Sequence, residues 1–194
     1  MLKTSGLYQA PSSVAASTLV TIQAQSQADT SKVATATVTL TPSAPSPDMV
    51  GPVNPASGGG QSQLFRFEAN ARSGNLEWVQ FLVHSQLSAL NACLVYYVPD
   101  GNLILLSKDD PSPYQNDWTE APVALGTPGK TIQNSQCSID VANSSASGSA
   151  SSVAVQLSIT FKPAFSGTKF IFMNAADAAG YEPYWPYLGY WNVP

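Results

Sequence analysis

Residues 19 to 42 read LVTIQAQSQADTSKVATATVTLTP, with apolar positions at Val20, Ile22 and Ala24, then Ala34, Ala36, Val38 and Leu40 alternating with Val33, Thr35, Thr37 and Thr39. A period of two is the signature of a half-buried strand, so this stretch predicts one β-hairpin turning through ADTSK. The next stretch, residues 41 to 63 (TPSAPSPDMVGPVNPASGGGQSQ), carries five prolines and four glycines and has no apolar period. It reads as a linker or a long approach loop. Beyond it, strand-like runs fall at 64 to 70, 77 to 83, 92 to 98, 102 to 107, 153 to 161, 168 to 174 and 188 to 193, with no helical periodicity between them. Several short strands without helices predict an all-β fold of two packed antiparallel sheets, a β-sandwich. The expected organisation is therefore a hairpin unit over 1–42, a linker over 43–63 and a β-sandwich domain over 64–194.

One turn is strongly marked. PDGN, residues 99 to 102, places Asp100 and Gly101 between two apolar runs, a pair that adopts positive φ at low cost and suits a tight hairpin. Cys93 opens the first arm, and the only other cysteine, Cys137, lies 44 residues later at the start of another short β-like segment. Two cysteines allow a single internal pairing, so a disulfide is expected, with two buried free thiols as the alternative. A metal site would need more soft ligands than two cysteines and the lone His84 supply. A disulfide persists outside the reducing cytosol, which points to export.

Composition narrows the functional classes. The 194 residues are 44% hydrophobic, enough to fill a core, yet only 10% are charged, with polarity carried by Ser, Thr, Asn and Gln. Twelve acidic and eight basic residues give a net charge of −4, with no basic face, so nucleic acid is not an expected partner. No window of 18 apolar residues predicts a spanning helix, and MLKTSGLYQAPSS has no apolar signal-peptide core, so a signal for export would lie upstream of it.

The stretch GLYQAPSSVAASTLVTIQAQSQADTSKVATATVTLTP, residues 6 to 42, resembles the C-terminal half of a bacterial immunoglobulin-like repeat. In that repeat a Gly-x-Tyr-x-Ala-Pro opening is followed by a strand pair ending in Val-Thr-Leu-Thr-Pro. The first strands and core tryptophan of the repeat have no counterpart before Gly6, which implies a fragment of a longer multi-repeat polypeptide. Residues 54 to 194 resemble a domain that accompanies such repeats in large secreted proteins of soil bacteria, through LEWVQFLVHSQL, NACLVYY, NSQCSI, ITFKPAFSGTKFIFMNAADAAG and LGYWNVP. The resemblance implies architecture and a secreted or cell-surface location, and no reaction.

Catalytic chemistry is sparse. There is no Gly-x-Ser-x-Gly elbow and no His-Glu-x-x-His helix, and the SGGGQS glycines precede a strand rather than a helix, so they lack the dipole of a phosphate site. His84 is expected to cap a strand end. Asp109, Asp110, Asp117 and Glu120 in KDDPSPYQNDWTE are weak calcium candidates without EF-hand spacing, and Asp177 in AADAAG is expected to serve a turn.

The densest feature is YEPYWPYLGYWNVP, which gathers Tyr181, Tyr184, Trp185, Tyr187, Tyr190 and Trp191. Exposed rings would stack on sugar faces, with amides and carboxylates satisfying hydroxyls. Alternation on the last strand opposes Tyr190 to Trp191, placing Trp191 with Leu188 in the core, and Trp185 with Trp78 is expected to fill the sandwich end. The expected function is a structural or adhesive module of a larger secreted or cell-surface protein, without enzymatic activity or cofactor. The alternative is a carbohydrate-binding module using the aromatic loop. Expected partners are cell-surface glycans or other repeats of the same polypeptide.

Overall fold

The computed structural model describes residues 18–40, 49–111 and 117–194. The chain divides into two compact units, Met1–Ser46 and Pro47–Pro194. The Gly-x-Tyr-x-Ala-Pro opening lies outside the described residues, as does part of the expected linker.

In the first unit, β1 (Thr18–Gln25) and β2 (Val33–Leu40) pair antiparallel, Val20 opposite Val38 and Ile22 opposite Ala36. The turn runs over residues 26–32, where the Asp29 carboxylate accepts from the Ser31 amide and hydroxyl, which holds its pKa below the usual carboxylate value. Val20, Ile22, Val38 and Leu40 are half-buried, and the other residues of Leu19–Gln25 and Val33–Leu40 are exposed.

The second unit is built from β3 (Val50–Asn54), β4 (Ser57–Gly59), β5 (Ser62–Asn70), β6 (Leu76–His84), β7 (Cys93–Val98) and β8 (Leu103–Leu106). It continues with β9 (Val123–Ala124), β10 (Thr131–Gln133), β11 (Cys137–Ser149), β12 (Ser152–Phe161), β13 (Gly167–Asp177) and β14 (Tyr187–Val193). These form a five-stranded sheet, β10-β11-β12-β5-β3, and a seven-stranded sheet, β4-β14-β13-β6-β7-β8-β9. All pairings are antiparallel except that of β4 with β14. The strand order is that of an immunoglobulin variable-type sandwich. Strands β3, β5, β12 and β11 stand as A, B, E and D, and β14, β13, β6, β7 and β8 as G, F, C, C′ and C″.

Alternation fixes what each sheet buries. Phe65 and Phe67 on β5, the odd-numbered residues of β12 from Val153 to Phe161, and Val79, Phe81 and Val83 on β6 all point inward. Phe67 and Phe81 meet across the core with ring centroids 4.0 Å apart. Cys93 on β7 and Cys137 on β11 are bonded, so the disulfide joins the two sheets, with both residues fully buried. An immunoglobulin disulfide joins B to F; this one joins C′ to D. Beside it, buried Asn134 donates Nδ2 to the Ala92 and Ser107 carbonyls and accepts from the Gln136 and Cys137 amides through Oδ1.

The structure departs from the predicted strands and side-chain positions at several places, and the short strands β9 and β10 also fall where none was predicted. Residues 50–59, read as linker, form β3 and β4. Gly58 of β4 lies against the Trp191 indole, and Trp191 donates Nε1–H to the Gly60 carbonyl at 2.8 Å, so these glycines give a neighbouring ring room. Strand β11 is 13 residues long and bulged between Asp140 and Ser145. At the bulge Ser144 Oγ donates to the Asp140 carbonyl and accepts from the Ser158 amide. In the PDGN turn the positive φ values belong to Gly101 (81°) and Asn102 (54°), not Asp100, because Val98 pairs with Leu103 and the loop holds four residues. Finally, Trp78 does not fill the sandwich end. Alternation with inward-facing Val79 turns Trp78 to the outer face, stacked on Tyr96 with centroids 5.7 Å apart, and the register shift between Ala176 and Asp177 buries Leu76 instead.

Candidate functional site

The aromatic loop joins β13 to β14 at the end of the sandwich where the β5–β6 turn also lies. Asp177 clamps the two together. Its carboxylate accepts from the Arg72 and Ser73 amides of the turn and from the Ala179 and Tyr181 amides of the loop. Burial pushes its pKa up, but the four donated hydrogen bonds outweigh this and hold it below the usual carboxylate value. Asp177 therefore serves a turn, as the sequence suggests.

The loop's rings separate into groups. Tyr181 lies under the Arg72 guanidinium, 3.9 Å from ring centroid to Cζ, and is 40% exposed. Tyr184 is 82% exposed, and it and half-buried Trp185 are consecutive non-glycine residues with left-handed φ of 57° and 58°. Such backbone costs about 1–3 kcal/mol per residue and persists only where its surroundings impose it. Tyr187 and Tyr190 are 56% and 41% exposed on β14, while Trp191 between the two sheets is buried with Leu188 packed against the same core.

Tyr187 and Tyr190 belong to a larger surface. On the outer face of the seven-stranded sheet Tyr190 pairs with Phe170 and Tyr187 with Phe172. Phe170, Phe172 and Tyr187 form a triangle of edge-to-face rings with centroids 5.9–6.4 Å apart. Further along the sheet, half-buried Trp78, Tyr96 and Trp118 form a second row, Tyr96 lying 5.7 Å from Trp78 and 5.2 Å from Trp118. Buried Asn174 donates to Glu182 at 3.4 Å beside that row. Sequence reading missed Phe170, Phe172, Tyr96 and Trp118. The signal was present: once Val79, Val95 and Ile171 are assigned inward, their neighbours Trp78, Tyr96, Phe170 and Phe172 must face outward.

The calcium candidates do not converge. Asp109 accepts from the Ser135 amide, Asp117 pairs with Lys108 at 3.6 Å and Glu120 pairs with Lys130. Among the described residues no group of three or more His, Cys, Asp or Glu side chains is placed to hold a metal ion. His84 ends β6, and its Nδ1 lies 3.3 Å from the Gln86 amide and 3.0 Å from the Gln86 carbonyl, the capping role expected of it. A cleft of about 480 Å³ beside β3 is lined by Asn54, Gln63, Arg66 and Gln156, with Arg66 already paired to Glu68. Among the described residues no helix is long and apolar enough to cross a membrane.

No protein family, curated protein or solved structure matches the chain. The likeness of residues 6–42 to a bacterial immunoglobulin-like repeat thus rests on the quoted residues alone.

Proposed function

We propose that the chain is a non-catalytic adhesive module of a larger secreted or cell-surface protein, and that it contacts carbohydrate through the outer face of its larger sheet. The observation that carries this reading is the run of exposed rings Phe170, Tyr187 and Tyr190, with half-buried Phe172 among them, on adjacent strands. Exposing contiguous aromatic area to water is unfavourable, and a patch of this kind ordinarily serves a partner. The rings stand on paired strands and not on the loop alone, so they are held at fixed spacing and a ligand need not order them on binding. The half-buried Gln80 amide stands on the same face of the sheet and suits hydroxyls. The buried disulfide and the low charge content support an extracellular address.

A glycan array probed with the intact chain tests the reading, followed by titration of any ligand against Tyr187→Ala and Tyr190→Ala. Each substitution is expected to weaken binding by about 1–2 kcal/mol, the scale of a lost aromatic contact, and to leave the melting temperature almost unchanged. Failure to bind any glycan, or loss of stability without loss of binding, would overturn it.

A further inference from the structure

The outer face does not end at Phe172. Two residues along the strands, or roughly 7 Å on, the next cross-strand row is Asn174, Gln80, Tyr96 and Leu105. Here the chemistry changes from apolar to acidic. Glu182 is tethered over the row by the Asn174 amide, and exposed Glu77 lies next to Trp78 at the register shift. Burial, then the charges of Glu77 and Glu182, push the Tyr96 phenol up to about 12, so both carboxylates act on the same spot. Neither is among the ion pairs of the described residues, which are Arg66 with Glu68, Lys108 with Asp117 and Lys130 with Glu120. Two carboxylates and three electron-rich rings thus share a patch, and among the described residues neither carboxylate is in an ion pair; Lys108, beside Trp118, is paired to Asp117.

We infer that the glycan held on this face carries free amines, a polymer of amino sugars, with an ammonium group seated at Trp78, Tyr96 and Trp118 between Glu77 and Glu182. The inference rests on the carbohydrate reading above and sharpens it. Indole and phenol faces attract an ammonium through their quadrupoles, and carboxylates accept charge-assisted hydrogen bonds from it. A neutral sugar would leave the two negative charges uncompensated, and a sulfated or uronic polymer would be repelled by them. The apolar triangle of Phe170, Phe172 and Tyr187 adjoins this row along β13, so one extended chain lies across both, its ring faces on the triangle and its amine on the acidic row.

The test is titration of the intact chain with glucosamine oligomers, N-acetylglucosamine oligomers, cellulose-type oligomers and oligolysine at low and high salt. Glucosamine oligomers are expected to bind about tenfold more tightly than their acetylated counterparts, an advantage that shrinks as salt rises. E77Q and E182Q, each checked for an unchanged melting temperature, should remove most of that advantage and leave affinity for neutral oligomers unaltered. Equal affinity for amino and neutral oligomers would overturn the inference while leaving the carbohydrate reading intact, as would an equal loss for both ligands in E182Q. Binding to oligolysine with none to any oligosaccharide would overturn both, and so would no binding at all.

Discussion

Cys93 and Cys137 are bonded across the core with their Cα atoms 5.7 Å apart, one in each sheet, so the bridge staples the layers and closes a loop of 44 residues. Reducing it, or replacing both cysteines by alanine, should lower the unfolding free energy by about 4 kcal/mol in the chain-entropy account. Denaturant titration with and without reductant measures this, and both thiols should resist alkylation in the unreduced protein.

Neighbours Tyr190 and Trp191 should respond oppositely to truncation. Trp191 is 4% exposed and packs edge-on against Phe65 with centroids 5.2 Å apart, so Trp191→Ala should cost about 3–5 kcal/mol. Tyr190 points outward, and Tyr190→Ala should stay within about 0.5 kcal/mol. Thermal unfolding of the two variants decides whether the last strand keeps this register.

Asp177 predicts a pH dependence of known sign. Its folded-state pKa is depressed, so its contribution to stability is fully present above the ordinary carboxylate value of about 3.9 and is lost as pH falls through the folded value. The melting temperature of the native chain should therefore fall more steeply below about pH 4 than that of Asp177→Asn, which should already melt lower at neutral pH. Parallel curves for the two proteins would remove Asp177 from this role.

The hairpin of β1 and β2 should not fold cooperatively by itself. Two strands with one half-buried face are marginal in water, so a peptide of residues 18–40 should show a broad, non-cooperative thermal response by circular dichroism. A sharp transition would mark it as an independent folding unit.

Much of the second unit was legible because its strands bury branched and aromatic side chains at every second position. The runs at 64–70, 77–83 and 153–161 correspond to β5, β6 and β12 within two residues at each end. Three strands were hidden for the same reason: their stability comes from partners rather than from their own side chains. Strand β4 is Ser-Gly-Gly because an indole occupies the space beside it, β3 contains a proline, and the second half of β11 is serine, alanine and glycine held by ladder bonds to β12. The candidate site was half legible. Tyr187 and Tyr190 stood out as part of an aromatic cluster, whereas Phe170, Phe172, Tyr96 and Trp118 are scattered along 77 residues and adjoin only through the sheet.

Strand β4 runs parallel to the last strand, β14, with Gly60 donating to the Asn192 carbonyl and Tyr190 to the Ala56 carbonyl, both at 2.9 Å. Ladder bonds lie across the strands, so tension applied between residue 49 and Val193 would slide β4 and β14 past each other and load those bonds together instead of unzipping them one by one. Under load this pairing acts as a shear latch. Should it give way, the bridge from Cys93 to Cys137 would still withhold the intervening residues, keeping the pulled-out chain shorter by ~150 Å than a chain without it.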